Sequence, residues 1–127
     1  MYKTLICLAA VAILALGASI TLAGEKTGSF HGASDHITKG EYTISMQADG
    51  SYVITLEDNF SLDGAPDPSV GFGKDGKYSK VTYLGNLKNL KGKQSFAIPA
   101  SVDLTKFNEV YIWCAKFTVP LGVAPLN

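Results

Sequence analysis

The chain has 127 residues, eleven basic and eleven acidic, for a formal net charge of zero; all eleven basic residues are lysines. Without arginine it lacks the planar fork that reads phosphate and guanine bidentately, so nucleic acid is not an expected partner. The length suits one domain and is too short for two.

The first residues, M-Y-K-T-L-I-C-L-A-A-V-A-I-L-A-L-G-A-S-I-T-L-A-G, have the three parts of a secretory signal. Lys3 is a minimal positive start, Leu5 to Leu16 form an apolar run, and Thr21 and Ala23 stand at the −3 and −1 positions of a cut before Gly24. The competing reading is an uncleaved anchor. The run is broken by Gly17, Ser19 and Thr21 and has no basic stop-transfer flank, whereas a full span needs about 20 predominantly apolar residues. Cys7 lies inside the apolar run, too early for a lipoprotein signal. Residues 1–23 are therefore read as a cleaved signal peptide and residues 24–127 as the domain. The expected location is secreted or periplasmic, with no membrane insertion after cleavage.

Removing residues 1–23 from 127 leaves 104 residues, which exceeds the size at which small domains generally need disulfide or metal staples. Cys7 leaves with the signal, and Cys114 stays as a single cysteine. In an oxidising compartment an unpaired cysteine is a free thiol, an intermolecular bridge or a ligand.

Past the signal the chain reads as short strands with Gly, Asp, Asn and Pro punctuation. The piece from Gly28 to Ile37 fits an edge strand. Residues 42–46 and 52–56 alternate apolar and polar, with D-G at 49–50 between them, a hairpin signal. A two-residue loop would put Tyr42, Ile44 and Met46 on the face opposite Tyr52, Ile54 and Leu56. A three-residue loop, Ala48-Asp49-Gly50, pairs 46 with 52, 44 with 54 and 42 with 56, and puts all six on one face. That loop needs a left-handed third residue, and Gly50 supplies it. Further strands are expected at 69–73, 78–84, 94–98 and 109–119, and S-V-D-L-T-K-F fits one helical turn with Leu104 and Phe107 facing the core. Lysines 74, 77, 80, 88, 91 and 93 read as a solvated face that discourages edge-to-edge aggregation.

Strand 109–119 is apolar on both parities, Val110, Ile112 and Cys114 on one face and Tyr111, Trp113, Ala115 and Phe117 on the other. A strand of that kind is covered on both sides. The fold class is all-β: a single antiparallel β-sandwich or flattened barrel. A monomer is expected.

The C-terminal half carries Gln94, Phe96, Ile98 and Pro99, then Val102, Asp103 and Leu104. I-W-C-x-x-F follows at 112–117, with Gly122, Ala124 and Leu126 at the end. Earlier come Gly28 and Phe30, H-I-T-K-G at 36–40, D-G-S-Y-V-I-T-L-E-D-N-F at 49–60 and G-A-P-D-P-S-V-G-F-G at 64–73. Together these residues resemble the DM-thirteen domain over about 28–127. Pro68 stands where leucine is usual and Gly71 where an aromatic is usual. The family is described as an electron-transfer module of extracellular and cell-surface proteins. The resemblance implies redox chemistry through Cys114, as a bare thiol or as ligand to a prosthetic group such as haem, with an unnamed redox protein as partner.

A thiol is reactive as thiolate, which needs a positive neighbour and some exposure. Lys116 lies two residues along the same face if the strand stays regular, and Trp113 is the adjoining ring. The competing reading makes Cys114 a small buried hydrophobe in a non-catalytic binding or adhesion module. Ligand candidates are His31, His36, Met46 and Cys114, with His36 the cofactor-binding candidate beside Cys114. C-x-x-C-H is absent, which excludes c-type haem attachment, and no histidine follows Cys114 as copper sites of the cupredoxin kind require. Glu57, Asp58, Asp63 and Asp67 lack EF-hand spacing and read as solvated loop acids. No metal site is expected. With no nucleophile elbow and no glycine-rich phosphate cradle, neither a hydrolase nor a nucleotide enzyme is expected, and a redox or binding module fits better than a stand-alone enzyme.

Overall fold

The computed structural model describes residues 25–127; the signal peptide assigned to residues 1–23 lies outside them. Twelve short strands follow one another: β1 (Lys26–Ser29), β2 (His31–Gly32), β3 (Thr38–Lys39), β4 (Glu41–Met46), β5 (Tyr52–Leu56), β6 (Ser61–Leu62), β7 (Pro68–Lys74), β8 (Lys77–Ser79), β9 (Gly85–Asn86), β10 (Gln94–Ile98), β11 (Glu109–Cys114) and β12 (Val119–Pro125). All pairings are antiparallel. One sheet runs β1-β4-β5-β10. The other runs β2-β12-β11-β7-β8, with β9 also on β7, and β3-β6 is a separate ribbon. The sheets do not close into a barrel, so of the two expected forms the sandwich holds. Among the described residues no helix is long and apolar enough to cross a membrane.

The hairpin has the anticipated register: Met46 opposes Tyr52, Ile44 opposes Ile54 and Tyr42 opposes Leu56. Gln47 and Gly50 close the turn at 3.0 Å, and Gly50 takes φ +90°, the left-handed value that a side chain would resist. Tyr42, Ile44, Ile54 and Leu56 are buried, while Met46 and Tyr52 reach past the core at the hairpin tip. The opposing sheet contributes Val70, Phe72, Val110, Ile112, Cys114 and Leu121 to the same core.

The N-terminal edge strand is split. It changes sheets at Phe30, whose ring turns inward and packs edge-on against Tyr42 and Phe60, with centroids 5.9 and 5.6 Å away. Asp103 caps the helical turn Leu104–Lys106 by accepting the Thr105 amide at 3.0 Å, and Leu104 and Phe107 lean on the core as expected.

Two strand expectations are corrected. The segment 78–84 leaves the sheet after Ser79 and makes a 3-10 turn, Lys80–Thr82. Buried Thr82 explains this: its hydroxyl accepts from the Phe72 amide and reaches the Phe72 and Ser79 carbonyls, replacing ladder bonds. The segment 109–119 is not one strand. It ends at Cys114, turns through 115–118 with Thr118 at φ +52°, and returns as β12. Pro120 has no amide hydrogen for a ladder, and the register between β11 and β12 shifts at Ile112/Trp113 to place it. Phe117, expected on a covered face, is 61% exposed.

Candidate functional site

Parity along β11 decides the site. Val110, Ile112 and Cys114 point inward; Glu109, Tyr111 and Trp113 point outward. Cys114 is the last strand residue before the turn and is 1% exposed. Its Sγ donates to the Pro66 carbonyl at 3.1 Å, so in this arrangement the sulfur carries its proton. Pro66 belongs to the loop 63–67 that leads into β7. The Ala115 amide donates to the Asp67 carbonyl at 3.1 Å, joining that loop to the turn after Cys114. Asp67 and Thr118, on the two segments that meet over the sulfur, both have left-handed φ, +49° and +52°. Thr118 is the less tolerant of the two because it is β-branched.

The far end of the loop is held by His36. Its Nδ1 lies 2.9 Å from Asp63 Oδ1, and the Ile37 amide donates to Asp63 Oδ2 at 3.1 Å. The hydrogen bond to His36, then that to the Ile37 amide, holds the Asp63 carboxyl below its ordinary range. His36 Nδ1 thus tethers the loop through the Asp63 carboxylate. Lys116 is corrected: because β11 ends at Cys114, Lys116 sits in the turn, with Nζ 5.8 Å from the Phe117 ring centroid, and does not share the strand face of the thiol.

His31 is exposed on β2 and Met46 is exposed at the end of β4. Among the described residues no three His, Cys, Asp or Glu side chains gather as a metal site. Two of the acidic-loop residues have other partners: Glu57 faces Lys93 at 3.6 Å and Asp63 faces His36. Haem ligation needs an open sulfur with room for the macrocycle. A thiol 1% exposed, donating to a carbonyl inside the core, does not fit that group.

The outward face holds what sequence reasoning missed. Trp113 stacks on Tyr78 with centroids 4.2 Å apart and planes 12° from parallel; Tyr111 meets both edge-on, at 5.7 and 6.1 Å. The rings come close to the β7 backbone because that strand presents glycines there. A Cβ on Gly71 would come 2.7 Å from Tyr78, and one on Gly73 would come 2.5 Å from Tyr111. The departure at Gly71 is thereby explained: the aromatic missing from β7 is supplied by Tyr78 lying across it. The alternation V-G-F-G at 70–73 was the available signal. Tyr111 donates to Glu109 Oε1 at 3.0 Å, and the Gly76 amide donates to the same oxygen at 2.9 Å. Burial pushes the phenols of Tyr78 and Tyr111 up, Tyr111 to about 12, where the bond to Glu109 and its negative charge add to the effect.

An all-β sandwich with one sealed thiol backed by an aromatic cluster is the class these features define. A family model described as electron transfer DM13 matches residues 29–126, and the chain belongs to that family. No match was found among curated proteins or among solved structures.

Proposed function

We propose that this is an exported electron-transfer module in which Cys114 is the redox group, covered at rest and reached when the 63–67 loop lifts. One observation carries the reading: the sulfur's hydrogen-bond partner is the carbonyl of a surface-connected loop, Pro66, rather than a group of the sheets. That loop is tethered by Asp63 to His36 and Ile37, contacts that can break without unfolding the sandwich. Once uncovered, the Cys114 thiol loses its proton to solvent and the thiolate attacks a partner's disulfide. A Cys114–partner S–S bond forms, the partner's own S–S bond breaks, and the departing thiolate takes up a proton. Cys114 is the one free cysteine among the described residues, so a separate dithiol reductant resolves the mixed disulfide. Its first thiolate attacks Cys114 Sγ and frees the partner as a dithiol. Its second thiolate then displaces Cys114 as the reductant closes to a disulfide, passing two electrons from reductant to partner. Export rests on residues 1–23, and the mature chain is expected to begin at Gly24 by intact-mass measurement.

A second reading, a binding module with Cys114 as a core residue, is favoured by the sulfur's 1% exposure and its place among Val70, Ile112 and Leu121. Thiol titration separates the two. In the first reading the native protein labels slowly, and Asp63→Ala speeds labelling about tenfold by removing a charged hydrogen-bond anchor. In the second, Asp63→Ala changes the rate only by as much as it changes the global unfolding free energy, and the rate climbs with denaturant at the full slope of global unfolding.

A further inference from the structure

The outer face of β11 has its own chemistry, and the inference drawn from it rests on the reading of this domain as an electron-transfer module. Aromatic rings in van der Waals contact pass an electron between them readily. A phenol gives up an electron far more easily when its proton has somewhere to go. Both conditions meet on this face. Tyr78, Trp113 and Tyr111 form one contiguous set, 4.2 to 6.1 Å between centroids. Trp113 and Tyr78 are partly exposed, whereas Tyr111 is 2% exposed. The buried member is the one hydrogen-bonded to a carboxylate, Glu109, at 3.0 Å. Packing alone would account for three rings on a sheet face. It does not call for a carboxylate fixed by the Gly76 amide at the phenol of the most enclosed ring.

We propose that Tyr111 is a redox-active tyrosine, oxidised by one electron through the Trp113–Tyr78 stack, with Glu109 as its proton acceptor. The oxidant is a strong one-electron acceptor, of the class of a high-valent metal-oxo centre or a peroxyl radical, meeting the partly exposed Trp113. It takes one electron from Trp113, and the vacancy passes to Tyr111. The phenol O–H bond breaks, the proton moves along the existing hydrogen bond to Glu109 Oε1, and a neutral tyrosyl radical and a neutral carboxyl remain. One-electron reduction of the radical returns the proton to the phenol oxygen. Glu109 acts through Tyr111 and is a positioning and proton-accepting residue.

The test uses the mature protein with a photogenerated ruthenium(III) tris-bipyridine oxidant, in wild type and in a Cys114→Ser background. Transient absorption and electron paramagnetic resonance read the radical. The expected result is a neutral tyrosyl signal that disappears in Tyr111→Phe, is delayed about 100-fold in Glu109→Gln as general-base assistance is lost, and falls in yield in Trp113→Phe. Tyr111→Phe, Glu109→Gln and Cys114→Ser keep the shape of their side chains, Trp113→Phe keeps an aromatic ring, and thermal melting checks that each folds. A tyrosyl signal that survives Tyr111→Phe, or a rate indifferent to Glu109→Gln, overturns the proposal. Persistence of the signal in Cys114→Ser supports it independently of the thiol, because failure of the Cys114 reading shows in labelling and not in this radical.

Discussion

The two faces of β11 differ in what they allow. On the inner face, Val110, Ile112 and Cys114 are all but fully enclosed, and the sulfur is held by a single loop carbonyl. On the outer face, Glu109, Tyr111 and Trp113 face a shallower layer in which Tyr78 lies over Gly71 of β7. One strand thus carries a sealed thiol on one side and a partly open aromatic set on the other, one residue apart in sequence. The same central position that buries Cys114 makes it unavailable as a resting-state nucleophile, so any chemistry at sulfur has to involve motion of its cover. The rings need no such motion.

Substitutions can break each face separately. The largest loss is expected from Gly73→Val, whose Cβ meets both the Tyr111 ring and the backbone of Lys77. Backbone cannot yield as a side-chain end does, so thermal or denaturant unfolding is expected to show about 3 kcal/mol of destabilisation, the upper part of the overpacking range. Loss of the Tyr111–Glu109 bond should accompany it. A cost below about 1 kcal/mol would mean the outer layer is looser than described.

Cys114→Ala strikes the inner face. It removes one buried sulfur and its bond to Pro66, and is expected to cost about 2 kcal/mol in equilibrium unfolding, in the middle of the range for typical destabilising changes. The aromatic stack should be untouched, which near-ultraviolet circular dichroism would report. Gly50→Ala belongs to neither face and calibrates both. No atom lies within 4 Å of its added Cβ, so only the φ of +90° is penalised, at about 1 kcal/mol.

The smallest effect is on pH dependence. The folded-state carboxyl of Asp63 lies below its ordinary value because His36 and the Ile37 amide bond to it. A depressed carboxyl stabilises the fold above the unfolded value and loses that contribution as pH falls through the folded one. Asp63→Asn should therefore flatten the acid limb of the stability curve slightly, by lowering stability at neutral pH, where the contribution is present, and leaving it nearly unchanged at low pH, where Asp63 is protonated in both states. Asp49 and Asp103, lowered first by Ser51 and Thr105 respectively, sustain the rest of that limb.

The hairpin was legible in the sequence to the residue because local chemistry settles it: one glycine, one turn length and one apolar parity leave a single register. The strand 94–98 and the turn capped by Asp103 were legible for the same reason. The end of β11 was not, although Pro120 was a visible warning. Apolar residues continued through Phe117, and only the fold shows that the run crosses a turn. The inward parity of Cys114 could be read, but its cover comes from Pro66, 48 residues earlier, a pairing no local pattern encodes. Tyr78 over Gly71 is likewise a tertiary match: two glycines on one strand face mean little until a ring is seen filling them.

The measurement that bears most directly on the covered-thiol account is the labelling rate of Cys114 as a function of denaturant well below the unfolding transition. Local lifting of the 63–67 loop exposes little surface, so the rate should be almost independent of denaturant there and should rise with Asp63→Ala. A rate that climbs from the first addition with the full slope of global unfolding, and that Asp63→Ala changes only as far as it shifts the global unfolding free energy, would show that the sulfur emerges only when the sandwich comes apart and would contradict the account.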